Sequence, residues 1–65
     1  MFNHEKMAEI IREKGIEQKA LAGKVGISEA MMSFIVNGLK EPSLTVLGRI
    51  AHELGVTAAE LIIEE

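Results

Sequence analysis

The residues best suited to recognising another molecule lie between Gln18 and Gly38, in two short helical patterns separated by a glycine. Gly26 indicates a tight turn, and Ser28 is a residue type that caps a helix by accepting a backbone N–H. Two short helices joined by a glycine-containing turn are the unit that places its second helix in the major groove of DNA. The stretch from about 17 to 37 therefore predicts a helix-turn-helix motif and contact with double-stranded DNA.

The second helix of this motif has one face that is suited to reading bases. Met32 and Ile35 recur at the spacing of a buried stripe, so we expect the opposite face to be exposed. Along that face lie Glu29, Ala30, Ser33, Phe34 and Asn37. A carboxylate can accept a hydrogen bond from the cytosine amino group, and alanine or phenylalanine can pack on a thymine methyl. Two alternatives stay open: Glu29 instead stabilises its helix N-terminus or repels phosphate, and Phe34 instead meets another protein.

Composition narrows the class of protein. The chain has 65 residues, near the lower limit for one hydrophobic core, and its 48% apolar content is too high for a disordered segment. It has no cysteine, and its two histidines are far apart in sequence, which disfavours a metal site. No serine has a nearby histidine and acid for nucleophilic catalysis. We expect one domain over residues 1–65, with no enzyme activity, no cofactor, no metal and no small-molecule ligand.

Sequence signals of membrane insertion or export are lacking, since no apolar run could cross a bilayer and the N-terminus has no signal-peptide pattern. These observations predict a cytoplasmic protein.

The net charge of −3 differs from the basic balance expected of a DNA-binding protein. Three of the ten acids, Glu60, Glu64 and Glu65, lie at the C-terminal end, so the first 59 residues carry as many acids as bases. The predicted motif is flanked by lysines at Lys19, Lys24 and Lys40. We expect weak non-specific affinity, because phosphate neutralisation supplies most of that affinity.

Hydrophobic periodicity predicts an all-α chain of five helices. They are expected over residues 4–14, about 17–25, 28–36, 43–54 and 57–62. Glycines end most of these helices, because glycine takes the left-handed conformation that follows a helix.

Two details belong to the C-terminal half. The fourth helix is expected to turn inward Leu44, Leu47, Ile50, Ala51 and Leu54. The fifth is expected to start with a capping box between Thr57 and Glu60 and to bury Leu61 and Ile62.

Several fragments in a fixed order carry a family resemblance. They are Gly15-Ile16-Glu17-Gln18, Leu21-Ala22, Gly26-Ile27-Ser28, Ile35, Asn37-Gly38, Pro42-Ser43, Ile50-Ala51-His52-Glu53-Leu54-Gly55-Val56 and Leu61. Over roughly residues 5–63, the chain resembles the lambda-repressor-like, or Cro-type, helix-turn-helix family of phage and bacterial repressors. One departure is clear: relatives often carry arginine, glutamine or threonine on the reading face, where this chain has an acid, an alanine and an aromatic residue.

The resemblance implies a role for individual positions. It assigns base contacts to Glu29, Ala30, Ser33 and Phe34. It assigns backbone contacts to Gln18, Asn37 and Lys40, and we add the Ser28 hydroxyl and Lys19 as flanking phosphate partners.

Family members bind operators as symmetric dimers, so the resemblance also implies a homodimer. Val56 and Ile63 are our candidates for the two-fold interface, with a monomer as the alternative. A second function remains open, a protein-interaction module or antitoxin that uses an apolar patch of Met31, Phe34 and Val36.

Overall fold

The computed structural model describes residues 2–62, which form four α-helices and one short 3₁₀ helix. In chain order these are α1 (His4–Lys14), α2 (Gln18–Val25), α3 (Glu29–Val36), α4 (Leu44–Leu54) and a C-terminal 3₁₀ turn (Ala58–Leu61). Within the described part of the chain, β pairing is limited to an isolated antiparallel bridge between Phe2 and Ile62. The all-α prediction is therefore confirmed for these residues.

Short polar side chains begin three of the helices. The side chains of Asn3, Ser28 and Ser43 each accept the backbone N–H three residues further on, at 3.0, 3.0 and 3.2 Å. Each bond satisfies one of the N–H groups that a helix start leaves without a partner. Because these signals are local, the sequence placed these helix starts correctly to within a residue.

One core holds the elements together, and every helix and the 3₁₀ turn contribute to it. Its buried side chains are Met7, Ile10, Ile11, Leu21, Ala22, Val25, Met32, Ile35, Leu47, Ile50, Ala51, Leu54 and Leu61. Helix α3 packs against α2 and α1, and α2 also packs against α4. Each helix of the motif is thus supported by one of the remaining helices, α3 by α1 and α2 by α4.

The prediction of five α-helices is not confirmed. The segment after Gly55 forms only a 3₁₀ turn, and Thr57 makes no side-chain cap bond, so the expected capping box does not form. Four residues are too few to complete α-helical hydrogen bonding, and the chain becomes extended at Ile62. There the carbonyl of Leu61 accepts the N–H of Asn3 at 2.7 Å, which ties the two ends together.

Two apolar residues expected in the core lie outside it. Leu44 is 86% exposed, because it is the first residue of α4 and the core contacts of that helix begin at Leu47. Ile62 is 38% exposed, because it follows the 3₁₀ turn rather than continuing a helix. None of the helices in the described residues has the length and hydropathy needed to cross a membrane.

Candidate nucleic-acid interface

The turn between α2 and α3 sets the direction in which α3 leaves the motif. Gly26 has a φ of +86°, a left-handed conformation that favours glycine. The carbonyl of Ala22 accepts the N–H groups of Gly26 and Ile27, at 2.9 and 3.0 Å. Ser28 is then extended and caps α3. The two helices are therefore joined by a turn of three residues, the tight turn at Gly26 that the sequence predicted.

Helix α3 has two distinct faces. Met32 and Ile35 are buried, with exposures of 0% and 1%, and form the inner face. The outer side holds the predicted base-contact residues: Glu29 and Ala30 are exposed, Phe34 is 41% exposed and Ser33 is half-buried. The structure thus brings these four together on one side of a supported helix. Their contact with bases remains a prediction.

The side chain of Asn37 is partly used within the protein. Its Nδ2 donates to the Ser33 carbonyl at 2.9 Å and lies 3.4 Å from the Ser33 hydroxyl oxygen. Asn37 also follows the last residue of α3, so this amide braces the helix end from outside. The amide oxygen is an acceptor, so a phosphate contact of Asn37 has to use the Nδ2 hydrogen that is not donated to the Ser33 carbonyl.

The last four carbonyls of α3 all accept hydrogen bonds. The Ser33 carbonyl accepts the Asn37 N–H, and the Phe34 carbonyl accepts those of Leu39 and Lys40 at 2.8 and 3.3 Å. The Ile35 carbonyl accepts a backbone N–H from the same turn. The Val36 carbonyl differs, because its partner is the His4 ring, whose Nδ1 lies 3.1 Å away.

A side chain from α4 bonds to a carbonyl at the end of α2, as His4 does at the end of α3. The Nη1 of Arg49 donates to the Val25 carbonyl at 3.2 Å. A guanidinium at this position stabilises both the free carbonyl and the negative end of the helix dipole. Nothing local to Arg49 indicates this contact, since the partner lies 24 positions away.

The predicted phosphate partners are spread around the motif. Gln18, half-buried, is the first residue of α2, and Lys19, exposed, is the second. Ser28 is exposed at the start of α3, and Lys40 is exposed in the segment between α3 and α4. These residues thus lie at three places in the chain, at the start of α2, at the start of α3 and in the segment after α3. Their contact with phosphates remains a prediction.

An apolar groove with a volume of about 260 Å³ lies beside this face. Its floor includes Ile27, Met31 and Val46, and its rim includes Lys40 and Glu41. The alternative patch of Met31, Phe34 and Val36 is not continuous. Val36 is half-buried against the core. Residues two positions apart on a helix differ by about 200° around its axis, so Val36 lies on the side opposite Phe34.

The model of the helix-turn-helix family matches residues 7–61 of this chain. The chain belongs to the lambda-repressor and Cro-like helix-turn-helix family. The matched residues begin within α1 and end with the 3₁₀ turn, so they include the whole motif, α4 and most of α1. The resemblance inferred from the sequence fragments is confirmed.

One relative is an uncharacterised HTH-type transcriptional regulator from Sinorhizobium fredii, to which this chain is similar. The two are 33% identical over 55 residues, which cover 85% of this chain and 71% of the relative. Membership of the family and this similarity support a DNA-binding regulator as the general class of this protein.

Of the two candidate dimer residues, the structure describes only Val56. Val56 is half-buried and packs against the core, and its N–H donates to the Ala51 carbonyl at 3.0 Å. Ile63 lies outside the described residues. The two-fold interface therefore remains a prediction.

Proposed function

We propose that this chain is a Cro-like transcriptional repressor that binds a two-fold symmetric operator as a homodimer, without a cofactor. Helix α3 enters the major groove of each half-site. The observation that carries the proposal is the two-faced character of α3, with one side buried in the core and the other exposed. Because its operator is genomic DNA, the proposal includes action in the cytoplasm.

Base recognition rests mainly on apolar contact. Ala30 and Phe34 pack on thymine methyl groups, and Glu29 accepts from a cytosine amino group. Ser33 contributes a hydroxyl that can donate or accept. A face without arginine predicts few of the arginine–guanine pairs that are common in other operators.

Contacts to the DNA backbone hold α3 in register with the bases. The side chain of Glu17 makes no cap bond at the start of α2, so the first N–H groups there are available to a phosphate, with Gln18 and Lys19 beside them. The Ser28 oxygen accepts the Met31 N–H, which leaves its own hydrogen free to donate to a phosphate. Lys40 and Asn37 complete the set of backbone contacts at the other end of α3.

Dimerisation supplies the affinity that one small module lacks. Two half-sites in successive major grooves on one side of the duplex are spaced by roughly 34 Å. We propose Val56 and Ile63 at the two-fold interface. Both are in the C-terminal part of the chain, which leaves the α3 surface free for DNA.

The first test is selection from a random duplex pool at roughly 50 mM salt, where phosphate contacts are strong. We expect enrichment of a palindromic site with half-sites one DNA turn apart. Enrichment of a single unpaired half-site would refute the dimer. A folded protein that enriches no sequence would refute the proposal and favour a protein partner at Met31 and Phe34.

Two substitutions distinguish phosphate contacts from base contacts. We expect Lys40→Ala to weaken binding to all sequences equally and to reduce the salt slope by about 0.9. We expect Phe34→Ala to change the preferred base at one position of each half-site. Binding measured on the selected site and on single-base variants checks both results, and an equal loss on every sequence with Phe34→Ala would contradict its role in readout.

A further inference from the structure

His4 makes a long-range contact with the end of the helix assigned to DNA reading. It is the first residue of α1 and is half-buried, and its Nδ1 lies 3.1 Å from the Val36 carbonyl, 32 positions along the chain. A carbonyl only accepts, so Nδ1 must carry the hydrogen. The other three terminal carbonyls of α3 accept from N–H groups of the turn that follows. His4 therefore provides the bond that joins this helix end to another element.

The same ring packs against the turn after α3. Gly38 has a φ of +76°, and a Cβ added there would lie 2.5 Å from Nε2 of His4 and 2.6 Å from its Cδ2. Those distances are too short for any side chain, so the ring occupies the space that only a glycine leaves free. His4 thus contacts both the last carbonyl of α3 and the turn that carries Asn37 and Lys40.

We infer that His4 is a positioning residue for DNA binding, which holds the end of α3 and the 37–40 turn against α1. The inference rests on the proposed function, since it assumes that Asn37 and Lys40 meet phosphates. His4 itself is on α1 and is not among the residues assigned to DNA. Its effect passes through the Val36 carbonyl and Gly38 to the placement of Lys40, whose N–H bonds to Phe34 at the weaker distance of 3.3 Å.

The matched variants are His4→Asn and His4→Gln. The asparagine amide nitrogen lies close to the place of Nδ1, whereas the longer glutamine places its amide nearer Nε2. We therefore expect His4→Asn to keep the bond to Val36 and His4→Gln to lose it. The two side chains carry the same functional group, which makes each a control for the other.

The first readout does not involve DNA. Amide hydrogen exchange reports local opening of the turn through the N–H groups of Leu39 and Lys40. We expect these two amides to exchange about fivefold faster in His4→Gln, as for the loss of one hydrogen bond of ordinary strength. His4→Asn should resemble the wild type. If these two amides exchange at the wild-type rate in His4→Gln, the inference is overturned, because the His4 ring then does not hold the turn.

The second readout is binding to the selected operator as a function of salt. If His4→Gln frees the turn, the Lys40 contact weakens, and the salt slope falls by up to about 0.9 per half-site. Adding His4→Gln to Lys40→Ala should then cause little further loss, whereas independent residues would show additive losses. Additive losses, or a salt slope equal to that of the wild type, would overturn the inference.

Failure of the proposed function gives a different pattern. If the wild type binds no duplex sequence, the proposed function and the DNA role of His4 both fail, whatever the exchange data show. If the wild type binds and His4→Gln binds equally well, only the inference fails.

Discussion

Ser28 allows the DNA-binding role of a residue to be separated from its structural role. Its oxygen accepts the Met31 N–H at 3.0 Å, and its hydroxyl hydrogen remains free to donate to phosphate. Ser43 is a matched control, because it is also exposed and also caps a helix, with its oxygen 3.2 Å from the Val46 nitrogen. It begins α4, whereas Ser28 begins the helix that is proposed to enter the groove.

The expected cost in stability is the same for the two alanine variants. Loss of a serine cap destabilises a protein by about 1 kcal/mol, which lowers the melting temperature of a domain of this size by roughly 4–8 °C. A domain of this length has a free energy of unfolding of roughly 3–10 kcal/mol. Even at the low end, a variant that retains about 2 kcal/mol is about 97% folded, so unfolding alone hardly changes its DNA affinity.

The expected cost in affinity differs. A hydrogen bond to a charged group contributes about 1.5 kcal/mol at the lower end, so Ser28→Ala should weaken each half-site contact by about tenfold. Ser43→Ala should leave affinity within about twofold. Ser28→Asp gives a third comparison, because aspartate caps a helix well but cannot donate to phosphate and repels it. It should therefore fold as stably as the wild type and bind DNA more weakly than Ser28→Ala.

Thermal unfolding followed by circular dichroism and operator titration followed by fluorescence anisotropy measure the two quantities on the same samples. The reasoning is refuted if Ser43→Ala loses as much affinity as Ser28→Ala, or if Ser28→Asp binds as tightly as the wild type.

The remaining predictions concern the fold that supports the site. Leu47→Ala should destabilise the domain by about 2–5 kcal/mol and Leu44→Ala by less than about 0.5 kcal/mol, because Leu47 is 6% exposed and Leu44 is 86% exposed. Urea unfolding of the pair checks this, and similar midpoints would show that Leu44 is buried after all. Arg49→Met keeps the aliphatic stem but removes the bond to Val25, and should cost about 0.5–1 kcal/mol. Arg49→Lys should recover part of that loss in the same assay, while an unchanged midpoint in Arg49→Met would mean that the bond does not stabilise the helix end.

Local signals explain why much of this fold could be predicted from the sequence. A serine before a helix and a glycine after it act on their own neighbours, as at Ser28 and Gly26. The buried stripe of α3 follows from its period alone, and so does the outer face opposite to it. The predicted base-contact residues lie on that face for the same reason, and their contact with DNA remains a prediction.

The features that the sequence did not predict depend mainly on residues distant in the chain. Leu44 fits the spacing of its helix but is its first residue and is left 86% exposed, while Leu47 in the same turn is buried. The roles of Arg49 and His4 are set by carbonyls 24 and 32 positions away, which no local pattern reveals. The capping box at Thr57 fails because the segment is too short and is tied to Asn3.

The acidic net charge is compatible with DNA binding when its distribution is considered. Three glutamates of α1, at positions 5, 9 and 13, are exposed and spaced by four residues, so they share one side of that helix. The exposed lysines Lys19, Lys24 and Lys40 lie instead in α2 and after α3. Three further glutamates, at positions 17, 29 and 41, lie within five positions of these lysines in sequence, which should keep non-specific affinity low. Discrimination between sequences then depends more on base contacts than on total charge.

The DNA-binding motif is a property of the whole fold rather than of its two helices. Helices α2 and α3 have eight residues each, shorter than the about 12–15 residues that an isolated helix needs for even marginal stability in water. Their carbonyl ends are completed from outside, by Arg49 of α4 at α2 and by His4 of α1 at α3. Their inner faces pack against each other and against the same two helices, α2 on α4 and α3 on α1. If α3 enters the groove as proposed, we therefore expect substitutions at His4 or Arg49 to alter binding through the placement of the motif, although neither residue is assigned a DNA contact.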